Sequence, residues 1–450
     1  MHYTAYTMTE SMHFGWIKAT EPIYCENMFL LANSLRHRNI HQQGTFYSVA
    51  RNFCYDREIV LFAEKPFQDC QVPIKTNKYR LADIVPMLDV SEATVRRMIE
   101  EQGIVPDRVP AGSTTRPVYS LEQILQLAKS KRHRGKVKFK RPLVIAVYVP
   151  KGGVGKSTLS NEFTAELTLQ GYNVMAIDLD DQASLTVMNG FQPDEVADAG
   201  KPNQWLVKHT FLNALYPANG EKTTLPLSEI IVKPYGEHGP KLVPADITLG
   251  ELGYRLAIQP NREQFLRNWI SAHADSDLKD IDIILIDNAP STSVVSRASI
   301  VAADLLLIPV RLDALTVKSL SFLANELTGL SESQLPIPQV VAVPNFFKAN
   351  NSRSARVMSA LQRSFGDDVP IAPHVGESER FPRSLMHDIG HELEEVLPVT
   401  FEGWTRALER QHEEIRNVCK FVMNIAEETF ARGETPGLFD DAPESRRATN

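Results

Sequence analysis

Cysteine is scarce in this chain. Its four cysteines, Cys25, Cys54, Cys70 and Cys419, are nowhere spaced as C-x-x-C, which argues against a disulfide framework and against a zinc site. Long hydrophobic runs are absent as well. No stretch approaches the roughly 18 apolar residues of a membrane span. The apolar patch near the start, "NMFLLANSL", is too short and wrongly flanked for a signal peptide, and a cytoplasmic protein is expected. An excess of positive charge is missing too: 48 Lys and Arg stand against 55 Asp and Glu, a net charge of −7. Contact with nucleic acid would therefore have to rest on local patches. What remains, 43% hydrophobic and 23% charged residues over 450 positions, is ordinary globular composition, and two or three domains are expected at this length.

Residues 1–77 form an N-terminal extension whose short apolar segments, "TFYSVARNF" and "REIVLFAEKPF", suit strand or helix equally. Met8, Met12 and Met28 are alternative starts within it, and it is assigned no function. Residues 78–128 show helical periodicity in two pieces, 81–88 and 92–102. A tight connection at Asp89 and Val90 joins them, Ser91 serves as N-cap, and Gly103 is the stop. Two short helices with this turn make a helix-turn-helix candidate. The Gly-Ser-Thr turn between "DRV" and "RPVY" reads as a small hairpin, or wing, and Ser120 caps a further helix. Residues 129–141, "KSKRHRGKVKFKR", hold eight Lys or Arg and no acid, which reads as an extended basic linker.

From Leu143 the pattern changes. "LVIAVYV", "NVMAID", "IDIILID", "DLLLIPV" and "QVVAVP" are short, nearly continuous apolar runs separated by helical stretches. Strands buried on both faces and alternating with helices predict an α/β fold with a doubly wound parallel sheet over 142–431. The last helix starts near 401 and ends near Ala431, and residues 432–450 read as a disordered tail.

The first apolar run leads into "VPKGGVGKST", which contains the phosphate-loop pattern G-x-x-x-x-G-K-[ST] between a strand and a helix. This makes the large domain a P-loop NTPase. Gly152, Gly153 and Gly155 let the backbone approach phosphate oxygens, with Val154 between them, and the amides and helix N-terminus supply positive potential. Lys156 is placed for the β and γ phosphates, Ser157 for Mg2+ and Thr158 for the α phosphate. A loop that only binds nucleotide needs nothing from Lys151.

That extra lysine resembles the deviant Walker A motif, K-G-G-x-G-K-[ST], of the ParA/MinD superfamily, and this sequence matches every fixed position. The resemblance implies an ATPase using ATP and Mg2+, in which Lys151 reaches across a dimer interface to the partner's nucleotide. "AIDLDDQAS" is similar to the family's second box. Asp180 then matches the aspartate that orients the attacking water, Asp178 ends its strand near the metal, and Asp181 stands where the family has proline. "IILIDNAPS" resembles the Walker B strand, with Asp287 at Mg2+ and Ala289 as a departure. Paired cysteines of iron–sulfur branches are absent, and so is the basic amphipathic C-terminal helix of the membrane-binding branch.

The helix-turn-helix before the ATPase domain resembles the layout of large plasmid-type ParA proteins. It implies operator binding through Glu92, Thr94, Arg96 and Arg97 on the second helix and Arg116 on the wing. A solvated helix face in a dimerisation domain is the alternative for these residues. "ESERFPRS" is similar to a segment used for non-specific DNA binding, which makes Arg380 and Arg383 candidates, along with Arg353 and Arg356 in "NNSRSARVM". The implied function is plasmid or chromosome partition by a homodimer that coats nucleoid DNA and is released by a ParB-like partner. The alternative is a nucleotide-sensing transcriptional repressor without segregation activity.

Overall fold

The structure, a computed structural model, describes residues 77–131, 141–193, 206–217, 223–311, 316–348, 352–365, 369–378, 380–381 and 397–431. All of them lie within one compact unit, Gln71–Asn450. The N-terminal extension up to residue 76, the centre of the basic linker (132–140), Arg383 and the C-terminal tail lie outside the described residues.

The first elements are strand β1 (Lys78–Tyr79) and helices α1 (Leu81–Leu88) and α2 (Glu92–Glu101). Ile84, Met87 and Leu88 of α1 and Val95 and Met98 of α2 are buried at helical spacing. Between the helices Asp89 takes the left-handed conformation, φ 51°, and Ser91 Oγ accepts the Thr94 N–H at 3.2 Å, an N-cap bond. Strands β2 (Asp107–Ala111) and β3 (Thr114–Ser120) pair antiparallel around Gly112, φ 63°. Ser120 and Gln123 cap α3 (Leu121–Ser130) reciprocally. Strand β1 pairs with β3, so the hairpin is part of a three-stranded sheet with β3 at its centre, order β1-β3-β2.

The remaining strands form one parallel sheet. They are β4 (Leu143–Val147), β5 (Val174–Leu179), β6 (Lys241–Val243), β7 (Ile283–Asn288), β8 (Leu305–Arg311) and β9 (Gln339–Asn345), in spatial order β6-β5-β7-β4-β8-β9. Alternation along β4 splits the core in two. Val144 and Ala146 face one layer, and Leu143, Ile145 and Val147 face the other. Helix α4 (Lys156–Leu169) follows β4, α5 (Ser184–Met188) follows β5, and α6 (Gly250–Ala257) and α7 (Phe265–His273) follow β6. Helix α8 (Val294–Ala302) follows β7, α9 (Thr316–Glu332) follows β8, and α10 (Ser352–Phe365) and α11 (Glu409–Ala431) close the chain. Among the described residues no helix is long and apolar enough to cross a membrane.

Two expectations need correction. The last helix starts at Glu409 rather than near 401, because 399–401 is a short 3-10 turn whose backbone is held elsewhere. The Val399 and Thr400 N–H groups donate to Glu162 of α4 at 2.8 and 2.9 Å. The ends of the basic segment are also packed rather than extended. Lys129 and Ser130 complete α3, Lys131 Nζ donates to the Leu169 carbonyl at 3.1 Å and to the Leu88 carbonyl, and Arg141 makes a two-pronged pair with Asp304. Burial pulls the Lys131 ammonium down to about 8.

These contacts join the N-terminal elements to the parallel sheet's own helix. Ile84, Leu88, Val95, Met98 and Leu125 share a core with Ala165 and Leu169 at the far end of α4. Arg416 of α11 completes the joint. Its guanidinium donates to Glu166 Oε1 (3.1 Å), the Pro86 carbonyl (2.8 Å) and the Met87 carbonyl (2.9 Å), and it lies 4.7 Å over the Trp404 ring. Lys131 and Arg416 thereby satisfy the last carbonyls of α1 with positive charge, where a helix C-terminus favours it.

Candidate functional site: a phosphate loop at the sheet's carboxyl edge

Strand β4 ends in the middle of the sheet, flanked by β7 and β8. The crevice at the carboxyl edge of such a sheet is where doubly wound folds take ligands. The chain turns there through 148–155 into α4. Gly153 (φ 69°) and Gly155 (φ 85°) are left-handed, and Gly155 is the N-cap of α4. A Cβ on Gly155 would stand 2.5 Å from Asn345 Nδ2, so both conformation and space demand glycine.

Other elements hold the loop's carbonyls. Lys156 Nζ reaches the Lys151 carbonyl at 3.3 Å, Asn345 Nδ2 the Val154 carbonyl at 2.9 Å, and Arg311 Nη1 the Gly153 carbonyl at 3.4 Å. Lys156 is 7% exposed. Burial pulls its ammonium below the ordinary value while Asp287 and Asp180 push back. Lys151 is half-buried at the loop's start, with its N–H on the Val149 carbonyl at 2.7 Å. Gly152 and Gly153 are exposed and Ser157 and Thr158 half-buried.

Strand register aligns the acids. Asp287 pairs in register with Val147 on one side and Asp178 on the other. Both carboxyls are fully buried. Burial raises both pKa values, and the charge of Asp287 raises Asp178 further. Asp287 Oδ1 accepts the Ser160 hydroxyl at 2.8 Å, and Ser157 also bonds this carboxylate. Among the described residues, Asp287 Oδ2 is buried with no hydrogen-bond partner. An unsatisfied buried carboxylate oxygen beside a serine hydroxyl suits a divalent cation.

Asp178 is differently engaged. Its Oδ1 accepts the Asp180 N–H at 3.2 Å, and its Oδ2 accepts the Thr186 N–H and hydroxyl at 2.9 and 2.7 Å. Both oxygens brace the following loop, so this geometry leaves ligation to Asp287 and Ser157. Asp180 is 5% exposed, its Oδ1 accepts the Gln182 N–H at 3.0 Å, and burial raises its pKa. Of the two departures from the family pattern, Asp181 is exposed and Ala289 half-buried.

Beside the loop opens a cleft lined by Gly155, Thr158, Phe346, Val375, Ser378 and Ile415, among others. Asn345, Arg311 and Thr186 escaped sequence reasoning, since no spacing links them to the loop. The one available signal was a polar residue closing an apolar strand run, as in "VAVPN" and "LLLIPVR".

The DNA candidates stand apart from this edge. Arg96 pairs with Glu92 at 2.6 Å and Arg97 with Glu101 at 3.7 Å, all exposed, and Thr94 shares the N-cap hydrogen bonds of Ser91. Arg116 is exposed on β3 opposite Val109. The module carrying them packs on the far end of α4, roughly 20 Å of helix from the loop. Arg356 and Arg380 are exposed. Arg353 lies on α10, and nothing is described of its side chain.

This fold and site define a phosphate-loop nucleotide-binding domain. Residues 143–337 match a family model described as an AAA domain. The cell division protein PomZ of Myxococcus xanthus is 27% identical over 278 residues, 60% of this chain and 77% of that protein. A protein of Thermus thermophilus described as a probable plasmid-partitioning protein ParA is 26% identical over 264 residues, 54% of this chain and 73% of that protein. The chain spans about two thirds of the length of the curated relatives it matches. Apo McdA of Cyanothece superposes with a TM-score of 0.48 at 22% identity, covering 61% of this chain and 98% of that one. The α/β part of this chain is thus similar to proteins named for cell division and for plasmid partition.

Proposed function

We propose that this chain is a ParA-type partition ATPase that binds ATP with Mg2+ at the loop 151–158 and, as an ATP-dependent homodimer, binds DNA without sequence preference. The observation that carries this reading is Asp287 at the end of β7, buried beside Lys156 of the loop and with one carboxylate oxygen that has no hydrogen-bond partner among the described residues. Lys156, held between Asp287 and Asp180, is positioned to neutralise phosphate charge. Ser157 and Asp287 would hold Mg2+, which when bound draws negative charge from the phosphate oxygens. Asp180 orients the attacking water. Lys151, at the outer start of the loop, supplies charge to the partner's nucleotide, which makes ATP part of the dimer interface.

The segment 78–128 is read as a winged helix-turn-helix domain, 129–141 as the basic connection and 142–431 as the ATPase domain. The first would bind an operator and repress the chain's own operon. A ParB-like centromere-binding partner stimulates hydrolysis and releases the dimer from nucleoid DNA. Relatives named for plasmid partition and cell division support this reading. A second reading, a nucleotide-sensing repressor without segregation activity, draws on one observation: α1, α2 and α3 share a core with the phosphate-loop helix, so operator contact and nucleotide site ride on one body.

Binding of a random-sequence duplex at fixed salt and Mg2+, with ATP, ADP or no nucleotide, separates the two. Tight binding with ATP alone is the expected outcome. Weak binding in every state sinks the partition reading and leaves the repressor.

A further inference from the structure

Arg311 is the last residue of β8 and lies opposite Asn345 of β9 in register. It is exposed, yet two features fix its head. Nη1 donates to the Gly153 carbonyl, and the guanidinium lies 4.9 Å from the centre of the Phe346 ring. Phe346 is itself in an unusual state. Its backbone is left-handed at φ 55°, a conformation a bulky residue avoids and one that concentrates at functional sites. Asn345 Oδ1 holds it there through the Phe346 N–H at 2.9 Å, and the ring lines the cleft beside Gly155. The strained backbone thus presents a flat surface at the phosphate loop, and a cation lies on it.

A trans peptide points its N–H opposite to its carbonyl. The cation that ties down the Gly153 carbonyl therefore turns the Val154 N–H the other way. Asn345 does the same for the next peptide, since its bond to the Val154 carbonyl sets the direction of the Gly155 N–H. These two amides belong to the loop that receives phosphate oxygens. We infer that Arg311 is a positioning residue of the phosphate site: braced on Phe346, it holds the Gly153 carbonyl so that the Val154 N–H faces the bound phosphates. The inference rests on the nucleotide-site reading above. Because the brace acts on the loop rather than on one phosphate, ADP and ATP feel it equally.

The test is calorimetric titration of ADP and of ATP into the full chain, comparing wild type, Arg311→Met, Arg311→Lys and Lys156→Ala. Arg311→Met keeps bulk and loses the donors. It should weaken both nucleotides about tenfold, equivalent to about 1.4 kcal/mol, with an unchanged melting temperature for the nucleotide-free protein. Arg311→Lys, which keeps a charged donor, should recover most of the loss. Wild-type affinity in Arg311→Met overturns the inference. So does a variant that weakens ATP and slows turnover while ADP binding stays intact, because that makes Arg311 a ligand of the terminal phosphate. If Lys156→Ala binds nucleotide like wild type, the nucleotide-site reading fails, and the inference with it.

Discussion

Replacing Arg416 by methionine strikes the joint between the N-terminal elements and the phosphate-loop helix. The substitution keeps most of the volume over Trp404 and removes every donor. Glu166, 2% exposed, loses its cation, the Met87 carbonyl loses the Arg416 donor, and the Pro86 carbonyl keeps only the Asp89 N–H at 3.3 Å. Breaking a buried pair from one side costs about 3–5 kcal/mol, and the stranded Met87 carbonyl adds about 1 kcal/mol when water reaches it only partly. Gln170 Nε2 still donates to Glu166 Oε1 at 3.1 Å, which offsets part of the first cost. A net loss of about 4 kcal/mol is expected, a large fraction of ordinary domain stability. Urea denaturation of Arg416→Met, Glu166→Gln and the double variant measures it. The double variant should regain about 2 kcal/mol over Arg416→Met, because a neutral amide in place of the Glu166 carboxylate is cheaper to leave unpaired. Hydrogen exchange should speed up at amides of α1 and α2 before those of β4 and β7. A loss under about 1 kcal/mol, with strictly additive single variants, would refute the reasoning.

Three further outcomes follow from the site and its surroundings. Gly155→Ala should abolish nucleotide binding with little change in the sheet, since its Cβ meets Asn345 in a left-handed backbone. Gly152→Ala, where an added Cβ meets nothing within 4 Å, should bind nearly normally, and equal titrations for the two would contradict the geometry. His412 stacks on Trp404 at 4.4 Å, and burial, helped by the Arg416 charge, holds its pKa down to about 4 from 6.5. A depressed folded pKa gives stability that is present above 6.5 and lost as pH falls through 4, about 3 kcal/mol in total. His412→Phe should lose less stability than wild type between pH 6.5 and 4 in paired melts, and parallel pH curves would remove the effect. Asp180→Ala should dimerise with ATP but stop turning it over, and a variant that hydrolyses ATP at the wild-type rate would dismiss Asp180 as the water-orienting group.

The parallel sheet was legible because strands buried on both faces leave continuous apolar runs, and five of its six strands carry one. Strand β6 escaped because it is three residues at an edge. Helix α4 misleads by composition. Asn161, Glu162, Glu166 and Thr168 would suit a solvated face, yet all are buried. Glu162 is held by Val399 and Thr400 and Glu166 by Arg416, contacts more than 200 residues away that no local pattern encodes, and Asn161 accepts from Asn189. The loop itself was legible from spacing, since phosphate contact needs glycines and a lysine at set positions. Its struts, Asn345 and Arg311, were not, because their positions follow from sheet order rather than from any motif. The basic segment was read as an extended linker from charge alone, and the seat of Lys131 at the ends of two helices depends on packing that composition leaves open.

The central claim is that Lys156 serves the protein's own nucleotide and Lys151 a partner's. Sedimentation velocity of wild type and Lys151→Gln with ATP and Mg2+, alongside a titration of ATP affinity, addresses it directly. The expected result is an ATP-dependent dimer for wild type and a monomer for Lys151→Gln that still binds ATP. A Lys151→Gln protein that dimerises like wild type, or one that loses nucleotide affinity and dimerisation together, would contradict the claim.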